Sequence, residues 1–196
     1  SDGINKLHNW LTSSSNAAVG LNNKQSLVRT SDGNLWLAYF DVIDGNAQAF
    51  ISRSDNNGST WATPLALMDQ NASIQTSGAN FSPAIDVNDA DGIHVVWADS
   101  NRTQDDIHYR NCPARTLNCM NSNNWTTDLN LSADNNNSAY PAITISADGN
   151  VHVVWSTVVS GQGQAYYTQC STLPCTSAGN WSTPVKLKTS TTITGT

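Results

Sequence analysis

Pro83-Ala84-Ile85, followed after a short gap by Ile93-His94-Val95-Val96-Trp97, returns as Pro141-Ala142-Ile143 and Val151-His152-Val153-Val154-Trp155. The two copies stand 58 residues apart, Trp97 to Trp155. One more step back reaches Trp36-Leu37-Ala38-Tyr39, preceded by Ser31-Asp32-Gly33-Asn34. The same step joins Ile51, Tyr109 and Tyr167. Self-similarity at a fixed period is the signature of a repeat architecture.

Each unit reads as four strands. The first is short and apolar: Ser26–Arg29, Ala84–Val87 and Ala142–Ile145. An Asp-Gly turn follows at Asp32-Gly33, Asp91-Gly92 and Asp148-Gly149, a strong hairpin signal. The second strand carries the Val-Val-Trp pattern, and the third centres on Ile51, Tyr109 and Tyr167. The fourth opens on Trp61, Trp125 or Trp181. Four-stranded units of this length predict the blades of an all-β propeller. A β-solenoid would have shorter rungs, and a sandwich would not need the repeat.

Trp10-Leu11-Thr12 reads as the opening of one more fourth strand. Residues 1–16 are therefore expected to be the outer strand of a preceding blade and a linker. Three complete blades then occupy 17–75, 76–135 and 136–196. Three blades fall short of the four to eight in a ring. The remaining blades are expected from a longer chain, or else from another protomer. With no initiator Met and no signal peptide, the sequence reads as a mature product or part of something longer.

Composition agrees with this. All 15 acidic residues are Asp, and Glu, a good helix former, is missing altogether. Asp, Asn and Ser favour turns, while β-branched and aromatic residues favour strands. A net charge of −6 excludes the Lys/Arg surface that nucleic acid requires. No apolar run approaches the roughly 18–20 residues of a membrane helix.

The cysteines keep the period. Cys112 and Cys170 each follow the third-strand Tyr by three residues, and Cys119 and Cys175 come just before the fourth-strand Trp. Each pair brackets a turn longer than that of the first unit. A disulfide across it would offset the added freedom by about 2–4 kcal/mol. A metal site fits less well, because the spacings are not Cys-x-x-Cys and no His is adjacent. Disulfides imply an oxidising compartment, hence a secreted or cell-surface protein.

At the same turn the first unit has Ser54-Asp55-Asn56-Asn57-Gly58-Ser59-Thr60-Trp61. This resembles the Asp box, Ser-x-Asp-x-Gly-x-Thr-Trp, of the bacterial neuraminidase (BNR) repeat propellers, with Asn56 where Asp is usual. The residues Ser54, Asn56, Gly58, Thr60 and Trp61 suit a fold element. Short side-chain acceptors bond the turn's own amides, and Gly takes the φ > 0 position. The resemblance implies sialidase-like architecture and a structural role for this turn.

In sialidases, three Arg hold the substrate carboxylate, a Tyr activated by Glu is the nucleophile, and an Asp is the acid/base. A carboxylate is needed to draw the proton from a phenol of pKa near 10. Without Glu, and without an Arg-Ile-Pro motif, these residues are not expected to form that site. No catalytic residue is assigned, so the chain is expected to be non-catalytic. Catalytic residues elsewhere in a sialidase-like hydrolase, and a structural or adhesion repeat, are the alternatives.

A ligand-binding propeller, with glycan as the expected ligand, fits better. The loops on one face, from strand two to three and from strand four to the next unit, are expected to hold Asp41, Asp44, Asp99, Arg102, Asp105, Asp106, Phe81 and Tyr140. Asp and aromatic rings suit sugar hydroxyls and sugar faces, and the Asp residues could hold Ca²⁺ through oxygen. No cofactor is required, and a solvated acidic surface is the plainer reading of the same residues. Asp86-x-Asn88-Asp89-x-Asp91-Gly92 faintly resembles a Ca²⁺ loop but coincides with the hairpin turn of every unit. His94 and His152 share a phase with Trp36, which suits packing between blades rather than metal. Asn-x-Ser/Thr sequons occur at Asn71, Asn101, Asn130 and Asn136.

Overall fold

A computed structural model describes residues 25–43, 46–68, 83–100, 104–114, 116–134, 136–171 and 174–187. Within them are twelve strands: β1 (Leu27–Arg29), β2 (Leu35–Ile43), β3 (Asn46–Ser54), β4 (Leu65–Ala66), β5 (Ala84–Val87), β6 (Ile93–Ser100), β7 (Asp105–Cys112), β8 (Leu129–Asn130), β9 (Asn137–Ile145), β10 (Val151–Val159), β11 (Gln162–Cys170) and β12 (Val185–Lys186). They form three four-stranded antiparallel sheets, β1-β2-β3-β4, β5-β6-β7-β8 and β9-β10-β11-β12. The unit inferred from the 58-residue step is therefore one sheet. The expected outer strand at Trp10 and the limits of the three blades fall on or beside residues outside the described ones.

Cross-strand aromatic pairs mark the middle of every sheet. Tyr39 faces Phe50, Trp97 faces His108, and Trp155 faces Tyr166, each pair in register on the second and third strands. Their ring centroids lie 5.7, 6.0 and 6.1 Å apart, nearly parallel. Such pairs are the unit of sheet stabilisation and tie the register to the repeat. A second pair sits on the opposite face. His94 bonds Tyr109 at 2.7 Å, and His152 bonds Tyr167 at 2.8 Å. These histidines thus pair within their own sheets. In the first sheet the same phases hold Trp36 and Ile51, and Trp36 lies under the Arg53 guanidinium.

The sheets pack face to face through one continuous core that includes Ile51, Ile85, Val95, Trp97, Val151 and Val153. Hydrogen bonds cross each junction. Gln25 accepts from Ile85 N at 2.9 Å, and Asp91 accepts from Ser31 N at 2.8 Å. The Asp86 carboxylate accepts from Ile145 N at 2.8 Å, and Arg110 donates to the Leu67 carbonyl at 2.6 Å. Two of the three carboxylates of the supposed Ca²⁺ loop, Asp86 and Asp91, therefore hold neighbouring sheets.

Two details depart from the sequence reading. The fourth strands begin four residues after Trp61, Trp125 and Trp181. In the first and third sheets Pro64 and Pro184 lack the N–H needed to continue the ladder, and in the second and third a single 3-10 turn (Ser122–Asn124, Ala178–Asn180) leads into Trp125 and Trp181. In the second sheet the turn keeps the 58-residue step, and the Asp-Gly string sits one residue later than in the other two. Gly33 and Gly149 hold the left-handed position at φ 86° and 83°, and Asp91 holds it there at φ 56°. Asp tolerates that conformation, which is why an Asp-Gly string alone misplaced the turn. Gly92 is required for another reason: a Cβ on it would lie 2.5 Å from the Pro113 carbonyl oxygen.

Candidate functional site

Asp41, Asp99, Asp105 and Asp106 lie toward one rim, where the second strands end and the third begin, while Tyr140 lies midway along the edge strand β9, against Trp155. Asp41 is on β2, Asp99 on β6, Asp105 and Asp106 on β7, and Tyr140 on β9. They lie on strands and not in loops, because pairing runs out to Ile43↔Asn46 and Ser100↔Asp105 and leaves little loop. Asp44, Phe81 and Arg102 lie outside the described residues.

These side chains divide into two groups. Asp106 is buried and accepts from Gln104 Nε2 at 3.2 Å, Asn130 Nδ2 at 2.9 Å and Ser132 Oγ at 3.1 Å. It fastens the segment after β8 to β7. Asp99, directly across from it, is buried too. Asn130 is committed in the same way, since its Oδ1 accepts from Ser132 N and Ala133 N. Tyr140 differs. It is 42% exposed and sits at φ 56°, at a bulge where β9 slips register against β10 between Val154 and Ser156. Bulges of this kind re-aim a side chain at a sheet's edge.

Sequence reasoning missed a cluster beneath the rim. His108 Nδ1 donates to Asp128 at 2.8 Å, and the His108 ring stacks on Trp97. Burial works to lower the imidazole pKa, but the Asp128 hydrogen bond and the charges of Asp128, Asp99 and Asp106 outweigh it, so the net shift is upward. The signal was available: His108 shares the phase of Phe50 and Tyr166, an aromatic position in the other sheets. Among the described residues no group of three or more His, Cys, Asp or Glu is arranged to hold a metal ion.

A small cleft of about 230 Å³ opens between the outer edges of the second and third sheets, lined by Asn130, Leu131, Thr168, Trp181 and Pro184 among others. It is below the usual size range of ligand pockets.

The enlarged turns are closed as the cysteine spacing predicts. Disulfides join Cys112 to Cys119 and Cys170 to Cys175, with Cα atoms 5.8 and 5.9 Å apart. In the first sheet, side chains close the corresponding turn. Ser54 Oγ accepts from Gly58 N at 2.8 Å, Asn56 Oδ1 accepts from Thr60 N at 2.8 Å, and Asn56 Nδ2 donates to Thr60 Oγ1 at 2.7 Å. Gly58 takes φ 83°.

No protein-family model matches the chain, and no curated protein sequence matches it. Solved structures do. An α-L-arabinanase from Penicillium chrysogenum, complexed with arabinobiose, is similar over 84% of this chain and 50% of its own, at 14% identity and TM-score 0.56. An ulvan lyase from a polysaccharide lyase family is similar over 82% and 42%, at 12% identity and TM-score 0.53. A Hadza microbial sialidase is similar over 80% and 35%, at 14% identity and TM-score 0.54. The fold is that of a β-propeller, and the chain spans half or less of the length of these structures.

Proposed function

We propose that this chain is a sector of a secreted or cell-surface propeller, of BNR/Asp-box type, that binds glycan at the β9 edge without itself carrying a catalytic site. The observation that carries the reading is Tyr140. A large aromatic side chain stands exposed on the edge strand, on a backbone conformation that costs a residue with a Cβ energy. An aromatic face offers a sugar ring an apolar platform. The three structures named above, an arabinanase, an ulvan lyase and a sialidase, act on glycans, which supports the substrate class by analogy of fold. The two disulfides support an oxidising location. In this reading the remaining blades of the ring lie outside the three sheets, and the Ser54–Trp61 turn has a structural role.

The test is a glycan array followed by titration calorimetry. Binding is expected, and Tyr140→Ala is expected to weaken it about tenfold or more with little change in melting temperature. An array without a hit sinks the glycan reading. Hydrolysis of a fluorogenic sialoside by the chain alone sinks the non-catalytic one.

A further inference from the structure

Ser52, Arg110 and Thr168 hold one place in the three sheets, across from Leu37, Val95 and Val153 on the second strands. Each donates to the carbonyl of the residue after the Trp that leads the fourth segment. Ser52 Oγ reaches Ala62 at 2.8 Å, Arg110 Nε reaches Thr126 at 2.7 Å, and Thr168 Oγ1 reaches Ser182 at 2.7 Å. Arg110 goes further than the other two. Its Nη1 crosses to the first sheet and donates to the Leu67 carbonyl at 2.6 Å. The guanidinium thus bridges the outer end of the junction between the first and second sheets. Burial works against its charge there, and Asp128 offsets part of that.

The junction between the second and third sheets repeats these places with smaller groups. Leu131 stands where Leu67 does, since their amides bond Ile107 and Ala49 on the third strands. Ser182 stands where Thr126 does, since their amides bond Gln169 and Asn111. Pro184 takes the place of Asp128, because Val185 and Leu129 pair with Tyr167 and Tyr109. Thr168 stops at Ser182, and nothing from the third strand fills the space that Arg110 fills one junction earlier. The cleft of about 230 Å³ opens there, with Leu131, Thr168, Trp181, Ser182 and Pro184 in its walls. Among the described residues no donor reaches the Leu131 carbonyl. No Lys, Arg or His lines the cleft. Asn130 does, and its Nδ2 lies 2.9 Å from the Asp106 carboxylate behind it.

We infer that this cleft receives the guanidinium of an arginine side chain from a partner polypeptide, in the place that Arg110 fills between the first and second sheets. The molecule itself shows the fit. Leu131 offers the carbonyl equivalent to the one that Arg110 bonds, and a guanidinium carries several donors in one plane to meet it. Trp181 adds an aromatic ring to the wall, and guanidinium is drawn to such rings. A cleft below the size of most whole-ligand pockets has room for one side chain. The net charge of −6 favours the approach of a cation. The inference goes beyond the glycan reading and does not depend on Tyr140.

The probe is N-acetyl-L-arginine amide, which presents the side chain as a peptide does, titrated against the indole N–H signals of the protein. The Trp181 signal, assigned with Trp181→Phe, is expected to shift and saturate with a dissociation constant of about 1–10 mM. N-acetyl-L-lysine amide is expected to bind about threefold more weakly or worse. Thr168→Arg supplies a guanidinium from within the chain, and it is expected to abolish the shift. Pro184→Asp, at a partly exposed position, restores the carboxylate that Arg110 has in Asp128, and is expected to tighten arginine binding about threefold. Circular dichroism checks both folds, and Pro184→Asp carries the test if Thr168→Arg does not fold. No saturable shift below about 50 mM overturns the inference. So does lysine binding as tight as arginine binding, or an arginine affinity that Pro184→Asp leaves unchanged. Tighter binding of free L-arginine than of the amide would overturn the polypeptide source.

Discussion

The imidazole of His94 and the hydroxyl of Tyr109 meet at 2.7 Å in the buried centre of the second sheet. The surroundings set the tautomer. Asn88 Oδ1 accepts from Ala90 N and Gly92 N, so its Nδ2 is the atom that donates to His94 Nε2, at 3.0 Å. Nε2 is then the acceptor, and Nδ1–H donates to Tyr109. A proton on Nε2 would face the Asn88 amide hydrogens.

Burial lowers the His94 pKa to about 4, from 6.5. The unfolded state therefore binds more protons than the folded state between those values. Stability is full above pH 6.5 and falls as pH drops through the window, by about 3 kcal/mol once below pH 4. His108 works in the other direction: its raised pKa adds stability that is lost as pH rises through the folded value. Melting temperatures of the wild type, His94→Gln and His108→Gln from pH 7 to pH 4 should separate the two. His94→Gln is expected to flatten the acid-side loss. An unchanged slope would show that His94 binds its proton equally in the folded and unfolded states.

Gly92 is held by close approach rather than by dihedral angle. A Cβ would lie 2.5 Å from Pro113 O and 2.8 Å from Asn88 Nδ2, the atom that serves His94. Gly92→Ala is expected to cost about 1–3 kcal/mol in denaturant unfolding. Gly179→Ala, with nothing within 4 Å of its added Cβ, is expected to stay within about 1 kcal/mol of wild type. Equal losses at the two sites would mean that chain entropy, and not the Pro113 contact, decides.

The 58-residue step was legible because core positions of a repeated sheet must repeat in kind: Tyr39, Trp97 and Trp155 do one job three times. The cysteine pairs were legible for the same reason. The Trp-led fourth strand was misplaced, since Pro64 and Pro184 interrupt the ladder without disturbing its apolar pattern. At the rim, whether an Asp faces water or a buried network depends on partners far along the chain. Nothing local to Asp106 says that Asn130 and Ser132 will reach it. The His94–Tyr109 pair left a trace that could have been read, because where Trp36 replaces the His, Ile51 replaces the Tyr.

The Cys112–Cys119 bridge closes a loop that the Trp125 indole also ties, donating to the Cys119 carbonyl at 2.8 Å. Cys112→Ala with Cys119→Ala is expected to lower stability by about 2 kcal/mol and to loosen Trp125. Unfolding curves and a red-shifted, more quenchable Trp emission would report this. A stability loss with unaltered emission would assign the effect to the unfolded chain alone.

Asp106 separates a structural role from a binding one. Its carboxylate gathers Gln104, Asn130 and Ser132, and Ser132 Oγ in turn accepts from Ile107 N at 2.9 Å. Removing it takes the acceptor from the Ser132 hydroxyl, which is buried, and from the Gln104 and Asn130 amides, which are less so, and a buried unsatisfied group costs about 1–3 kcal/mol. Asp106→Ala is therefore expected to lower stability by about 3 kcal/mol in denaturant unfolding, with any glycan affinity lost only in proportion to unfolded protein. Tyr140→Ala should show the reverse, a weakened affinity on a stable fold. The same network bears on the Asn130 sequon, because a glycan on that amide nitrogen would take the atom that Asp106 holds. Expression in a glycosylating host followed by mass mapping should then find Asn130 unmodified in folded protein. If Asp106→Ala melts like wild type but no longer binds glycan, Asp106 is a ligand contact, and the division drawn from its hydrogen bonds is wrong.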